Sequence, residues 1–293
     1  MGKKGKRSAK TGDGKAKQGP GKARRERAAA MKEIRAGVEA LIERLESETA
    51  DTELYGPLPE QEECPICFLP LPRSLAERFY MPCCGNTICG GCIHASDLIS
   101  EKAKKSRMPC AFCRSEPTKD DKAIIDRLQG RAEKNDANAM NSLSEYYSEG
   151  QKGLPKDEVV ALSFDLRAAE LGSLSSIGAL AGHFYDKEDD PQNAVFAMQL
   201  ATIAAKKGDL SAYGILACFY NDHGDVESAA KSWIFAARAG CSESMEVLRK
   251  YKVNGARLVS DDDLEAIEEA YKDAAKLEWS EEREAFKKLH SIK

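Results

Sequence analysis

Long apolar runs and histidine are scarce in this 293-residue chain, and each shortage closes off a class of function. No uncharged hydrophobic stretch reaches the ~18 residues that a bilayer-spanning helix requires. The longest, Pro191 to Ala205, is rich in small residues and reads as a buried helix. No apolar segment follows the basic N-terminus, so a secretory signal is not expected. Lys6 stands where a myristoylation signal needs Ser or Thr. With only four histidines, no Ser/His/Asp or Cys/His constellation appears; any activity is expected to be non-covalent. Charged residues make up 31% of the chain, which fits a soluble protein. A reducing compartment, cytoplasm or nucleus, follows from the missing export signal, with no membrane partner expected.

Aromatic residues are absent from the first 30 positions, where charge is concentrated instead. Eleven Lys and Arg face only Asp13 and Glu26 there, a balance of +9 that leaves −13 for the remainder of a chain of net charge −4. Residues 1–23 are mostly Gly, Lys, Ser and Ala and cannot bury enough surface to offset their ordering entropy, so a disordered basic tail is expected. Such a tail could solubilise the chain, direct nuclear import or contact nucleic acid. Without aromatic side chains it offers no platform for base stacking.

What the sequence does have is cysteine in one place. Eight of its ten cysteines fall between positions 64 and 113, as Cys64/Cys67, Cys83/Cys84, Cys89/Cys92 and Cys110/Cys113. The spacing is C-x2-C-x15-C-C-x4-C-x2-C-x17-C-x2-C. In a reducing compartment clustered cysteines favour metal over disulfides. Thiolate sulfur suits zinc, and eight sulfurs supply two tetrahedral sites. Such closed all-sulfur sites would be structural, with no open position to activate water. Cys218 and Cys241 lie in helical patterns and read as core thiols.

Around this module the pattern is helical. Across residues 24–50, Met31, Ile34, Val38, Leu41, Ile42 and Leu45 recur at three- and four-residue steps and form one apolar stripe. It must be buried, either on the rest of the chain, the default, or as a coiled coil with a second copy. A connecting helix is read over Lys119 to Lys134. Beyond it Arg167–Gly172, Ile203–Gly208 and Phe235–Gly240 repeat a pattern of paired alanines closed by glycine, and Tyr147, Tyr185 and Tyr220 recur in a second register. Periods of this length with two helices each signal an α-solenoid. These units resemble Sel-one-like repeats of the tetratricopeptide class. The first matches best, through Leu143, Tyr147, Gly150, Gly153 to Asp157, Ala161 and Ala168 to Gly172; the second and third have shortened inter-helix loops. The array is expected over residues 118–250. Residues 258–293 are read as capping helices, with Ser260 as N-cap and Ala266, Ile267, Ala270, Tyr271, Ala274 and Leu277 as the apolar face.

The cysteine module, residues 60–117, resembles the RING finger family in its all-cysteine variants. The block Pro82-Cys83-Cys84-Gly85-Asn86-Thr87-Ile88-Cys89-Gly90-Gly91-Cys92-Ile93 is close to that family's central segment. The alternative is another two-zinc fold, of plant-homeodomain or ribbon type. Most RING relatives carry a histidine where Asn86 stands here, and the adjacent Cys83 and Cys84 offer a replacement sulfur. The resemblance implies a cross-brace, with Cys64, Cys67, Cys89 and Cys92 on a first zinc and Cys83, Cys84, Cys110 and Cys113 on a second. Asn86 could instead hydrogen-bond across the loop, with His94 as an outside candidate ligand. The resemblance also implies ubiquitin ligation by positioning a conjugating enzyme and its thioester-linked ubiquitin. Ile66 and Phe112 match the family's apolar contacts with that enzyme, and Arg114 matches the guanidinium that bridges enzyme and ubiquitin. The family's docking proline is replaced by Ala111, and Ser96 stands where many relatives are bulky. The expected function is therefore a RING-type ubiquitin ligase whose repeats hold an unidentified client protein. A non-enzymatic zinc-binding scaffold and an RNA-associated regulator are the alternatives.

Overall fold

The computed structural model describes residues 20–102, 109–186, 190–253 and 259–290. The basic tail over residues 1–19 lies outside them. Helix α1 (Pro20–Glu48) begins four residues earlier than its apolar pattern, with Pro20 at its first position, where a missing N–H costs nothing. The chain then crosses to a small module holding a 3-10 turn (Leu75–Glu77), a two-stranded antiparallel sheet of β1 (Arg78–Tyr80) and β2 (Thr87–Cys89), and helix α2 (Gly90–Lys102). Ten further helices follow: α3 (Asp121–Ala132), α4 (Ala137–Glu149), α5 (Glu158–Glu170), α6 (Leu174–Tyr185), α7 (Pro191–Lys206), α8 (Leu210–Asp222), α9 (Val226–Arg238), α10 (Ser242–Val253), α11 (Asp261–Leu277) and α12 (Glu281–His290). No helix among the described residues is long and apolar enough to cross a membrane.

The array is built from antiparallel pairs, α4 with α5, α6 with α7 and α8 with α9, each packed on the next. Aspartates start most of these helices: Asp136, Asp157, Asp190, Asp209 and Asp225 each accept a backbone N–H from the first turn. Gly172, Gly208 and Gly240 close α5, α7 and α9 at φ +91°, +96° and +99°, a left-handed conformation that any side chain would strain. Just before them Ala168, Ala169, Ala204, Ala205, Ala236 and Ala237 are fully buried. Small side chains there let neighbouring helices close on a continuous core that includes Leu180, Phe184, Leu200 and Leu216.

The α1 stripe is buried within the chain. Ile34, Val38, Leu41, Ile42 and Leu45 pack into the array core against α5 and α7, leaving no apolar seam for a coiled coil. Each such side chain contributes roughly 1.5–3 kcal/mol on burial. Gly37 marks the closest approach, since a Cβ there would lie 2.5 Å from Leu166. Arg35 bonds Asn193 at 2.7 Å and Asp190 at 2.8 Å, fixing the helix axially. Beyond α1, Tyr55 bonds Ser232 and packs edge-on to Phe235, while Tyr213 donates to the Leu54 carbonyl.

Two expectations are corrected. Cys218 is exposed on α8, one step round the helix from buried Ala217; Cys241 is buried as read. The C-terminal helices do not act as one cap. Helix α11, started by Ser260, puts Leu264 and Ile267 against Trp233, Met245 and Leu248 and closes the array. Ala266 and Leu277, expected on its apolar face, are exposed. Helix α12 leaves the array and packs on α2 of the cysteine module.

Candidate metal centre

Three tight turns present most of the cysteines, and they share one backbone pattern. In the first, Cys64 N–H bonds the Leu69 carbonyl and Phe68 N–H bonds the Cys64 carbonyl, both at 2.8 Å. In the last, Cys110 N–H bonds Ser115 and Arg114 N–H bonds Cys110, both at 3.0 Å. Phe68 and Arg114 occupy the same left-handed position, at φ +58° and +55°. The middle turn repeats the frame from Met81: Met81 N–H bonds Asn86 and Gly85 N–H bonds Met81, with Gly85 at φ +79°. Methionine thus stands where the other turns have their first cysteine, and the vicinal pair supplies the sulfurs. Cys89 and Cys92 come from the end of β2 and the first turn of α2.

Folding brings the eight sulfurs into two groups, Cys64 with Cys67, Cys89 and Cys92, and Cys83 with Cys84, Cys110 and Cys113. Within each group all sulfurs lie within 4.8 Å of one another. Cys64–Cys92 and Cys67–Cys89 are 3.8 Å apart, and Cys84–Cys110 is 3.7 Å. A tetrahedron with zinc–sulfur bonds of about 2.3 Å has edges of about 3.8 Å, so the donor set fits that ion. A disulfide would need about 2.05 Å, and all ten cysteines are free. The groups interleave along the chain, first with third pair and second with fourth. His94 belongs to neither. Asn86 donates its side-chain amide to Cys84 Sγ at 3.3 Å, as a hydrogen-bond donor to the second group.

The electrostatics agree with a cation between the sulfurs. Burial pushes the Cys64 thiol up, but backbone N–H groups of Cys67, Cys89 and Ile66 outweigh it and bring it down to about 7. Ser115, through its hydroxyl and its backbone N–H, lowers Cys113 to about 6. Burial and neighbouring sulfurs push Cys83 and Cys92 up. Cys64 and Cys113 thus give up a proton more readily than Cys92 and Cys83 in their own groups, and four thiolates this close require a positive charge among them. Among the described residues apolar packing is slight, with Cys64, Leu71, Ile88 and Cys89 as the buried cluster.

Ile66 and Phe112 stand on the first and last turns, 37% and 36% exposed. Phe68, Leu98 and Ile99 of the same module are more exposed still. Arg114 is exposed and has no side-chain hydrogen bond or ion pair among the described residues. Ser96 is half-buried on α2.

Contacts on two sides fix the module to the helices. Tyr80 of β1 donates to Asp136 at 2.7 Å, and Arg131 Nε bonds both Tyr80 and Asp136 at 2.8 Å. The Tyr80 ring packs against the core of α3 and α4. On the other side Phe286 of α12 meets Phe79 edge-on at 5.3 Å, and Lys287 pairs with buried Glu77 at 3.0 Å. Between module and array runs a polar cleft of about 710 Å³, lined by Arg73, Arg78, Asn141, Glu145 and Lys207 among others. The docking of α12 on α2 departs from the expected capping role. Its one sequence signal was the Gly90-Gly91 pair, two poor helix formers opening a helix between two cysteines.

No family model matches the chain, and no curated protein matches it. Among solved structures it is similar to a Sel1 repeat protein from Oxalobacter formigenes, at 23% identity and TM-score 0.43, over 52% of this chain and 64% of that one. It is also similar to a protective antigen of uropathogenic Escherichia coli strains displaying an SLR fold, at 16% identity and TM-score 0.44, over 69% of this chain and 48% of that one. The chain thus spans less than two thirds of either. Its reading as a helical-repeat protein stands on its own helix pairs, alanines and closing glycines.

Proposed function

We propose that this protein is a RING-type ubiquitin ligase held in shape by two zinc ions, with the helical array as its client-binding arm. The observation that carries the reading is the pair of interleaved sulfur groups with Ile66, Phe112 and Arg114 exposed on the turns beside them. Zinc would supply structure only, because four sulfurs fill its coordination. Ile66 and Phe112 would seat an apolar edge of the conjugating enzyme. Arg114, free to turn its guanidinium outward, would hydrogen-bond conjugating enzyme and ubiquitin together and hold the thioester where a client lysine can attack. The client would lie on repeat surface that α1 leaves open, within reach of the module. The basic tail is a second contact point, for nucleic acid or for nuclear import, and the setting is cytoplasm or nucleus.

Reconstitution with a panel of conjugating enzymes tests this. Wild type should discharge a ubiquitin thioester in a zinc-dependent way, and Arg114→Ala should slow discharge about tenfold or more while keeping two zinc ions by mass spectrometry. Silence across the panel from a fully metallated protein would sink the ligase reading. It would select the scaffold reading, which Ala111 in place of the docking proline favours.

A further inference from the structure

We infer that Arg283 is the charge partner of the first sulfur group, and that α12 is a clasp through which the C-terminal segment controls how tightly that group keeps its metal. The inference rests on the zinc reading above. Arg283 is 2% exposed, yet no carboxylate among the described residues lies within ion-pair distance of it. Its Nη1 donates to the carbonyls of Pro70 and Glu278, both at 2.8 Å, and its Nη2 points at Cys67 Sγ at 3.5 Å. Cys89 Sγ is also within its reach, and Nε finds no partner. The buried carboxylate nearby, Glu77, is already held by Lys287 at 3.0 Å. A guanidinium buried without an anion is costly, by several kcal/mol. Four thiolates around one divalent cation leave two negative charges, and those charges are what this guanidinium faces.

Independent support comes from α2. A Cβ on Gly90 would lie 2.5 Å from the Phe286 ring, and one on Gly91 would lie 2.6 Å from Arg283 Cγ and 2.8 Å from its backbone nitrogen. Both glycines sit between the ligands Cys89 and Cys92, in the first turn of α2. Their use here is clearance for α12. The link ahead of α12 is tied down as well, since Glu278 accepts from Gln61 at 2.5 Å and from the Arg73 backbone at 3.0 Å. Groups that touch metal ligands from outside commonly set metal affinity by 10- to 100-fold.

The test is zinc loss from the full-length protein to a colorimetric chelator, with alkylation and mass mapping to identify which cysteines are released. In Arg283→Met, which keeps bulk and loses charge, Cys64, Cys67, Cys89 and Cys92 should become reactive roughly 10- to 100-fold sooner, with the other four unchanged. Arg283→Lys should fall between Met and wild type. Gly91→Ala, which favours α2 but collides with α12, should speed loss from the same group. In cobalt-substituted protein Arg283→Met should shift the thiolate-to-metal charge-transfer band, which mere loosening of α12 would not do. Two ions in wild type with unchanged loss in both Arg283 variants would overturn this inference alone. A wild type that holds no metal would overturn the zinc reading and this inference with it.

Discussion

The cysteine module and the helical array lie in one chain and share almost nothing in how they are held. The array encloses a long apolar core shared by α1 and by α5 through α9, stitched by aspartate caps and closing glycines. Among its described residues the module has a four-residue buried cluster, two three-residue strands and one helix. Residue for residue, the array can meet its ordering entropy by burial. The module cannot, and its backbone turns are spent on aiming sulfur. Stability in one region is spread over dozens of side chains; in the other it would rest on metal held by the two sulfur groups.

The largest expected effect exploits that contrast. Thorough chelation should unfold residues 60–117 while leaving most helical signal in place, because structural zinc in small domains contributes on the order of 10–16 kcal/mol. Circular dichroism with limited proteolysis would show early cleavage inside the module and late cleavage in α4 to α9. Cys64→Ser should do the same. Loss of both regions together would mean that the array depends on the module far more than its own core implies.

How legible each region was in the sequence follows from the same contrast. Ligand spacing is local and discrete, so the sulfur pairs Cys64/Cys67 and Cys110/Cys113 stood out at once. The alanine pairs and glycines of α5, α7 and α9 were equally visible because a repeat tests itself. Cys218 was misplaced because a one-residue step around α8 exchanges core for solvent, and periodicity in a small-residue helix resolves that poorly. The middle turn hid behind Met81, whose role is set by backbone hydrogen bonds that leave no mark in side-chain chemistry. Helix α12 was legible as a helix but not as a partner of α2. Its contacts bridge about two hundred positions, and only the two glycines at 90 and 91 hint at them.

A middle-sized effect separates the regions by pH. Asp165 on α5 is buried in the array, accepts from Ser144 at 2.6 Å and leaves its other oxygen unpartnered. Burial outweighs the lowering by Ser144, Ser176 and Asn141 and raises its carboxyl from the ordinary 3.8 to about 6. The folded state therefore binds this proton more tightly than the unfolded state. Its contribution favours folding below pH about 4, falls away as pH rises to about 6 and stays flat beyond. A shift of this size corresponds to at most about 3 kcal/mol. Asp165→Asn should abolish that fall and raise the array's melting temperature at pH 7, measured by calorimetry, with no change in the module's response to chelator. A variant that still lost stability between pH 4 and 6 would put the titration elsewhere.

The smallest effect concerns what joins the two regions. Tyr80 belongs to the module's sheet, but its ring packs in the core of α3 and α4 and its hydroxyl completes the triad with Arg131 and Asp136. Tyr80→Phe keeps the ring and the Arg131–Asp136 pair and deletes two hydrogen bonds, a cost of about 1–3 kcal/mol in all for this half-exposed site. Little of that should appear as lost global stability, because neither core is opened. It should appear as lost coupling. In wild type, chelation should withdraw Tyr80 from its bonds and lower the melting of α3 and α4, which would link metal removal to array stability across this contact. In Tyr80→Phe the chelation-induced drop in melting temperature should shrink, while zinc retention barely moves. Deuterium exchange in α3 and α4, measured with and without chelator in both proteins, reads that difference directly. An undiminished drop would mean that the regions communicate without the Tyr80 hydroxyl, through the retained ring or through α12, and that the Arg131–Asp136 pair serves only to cap α4.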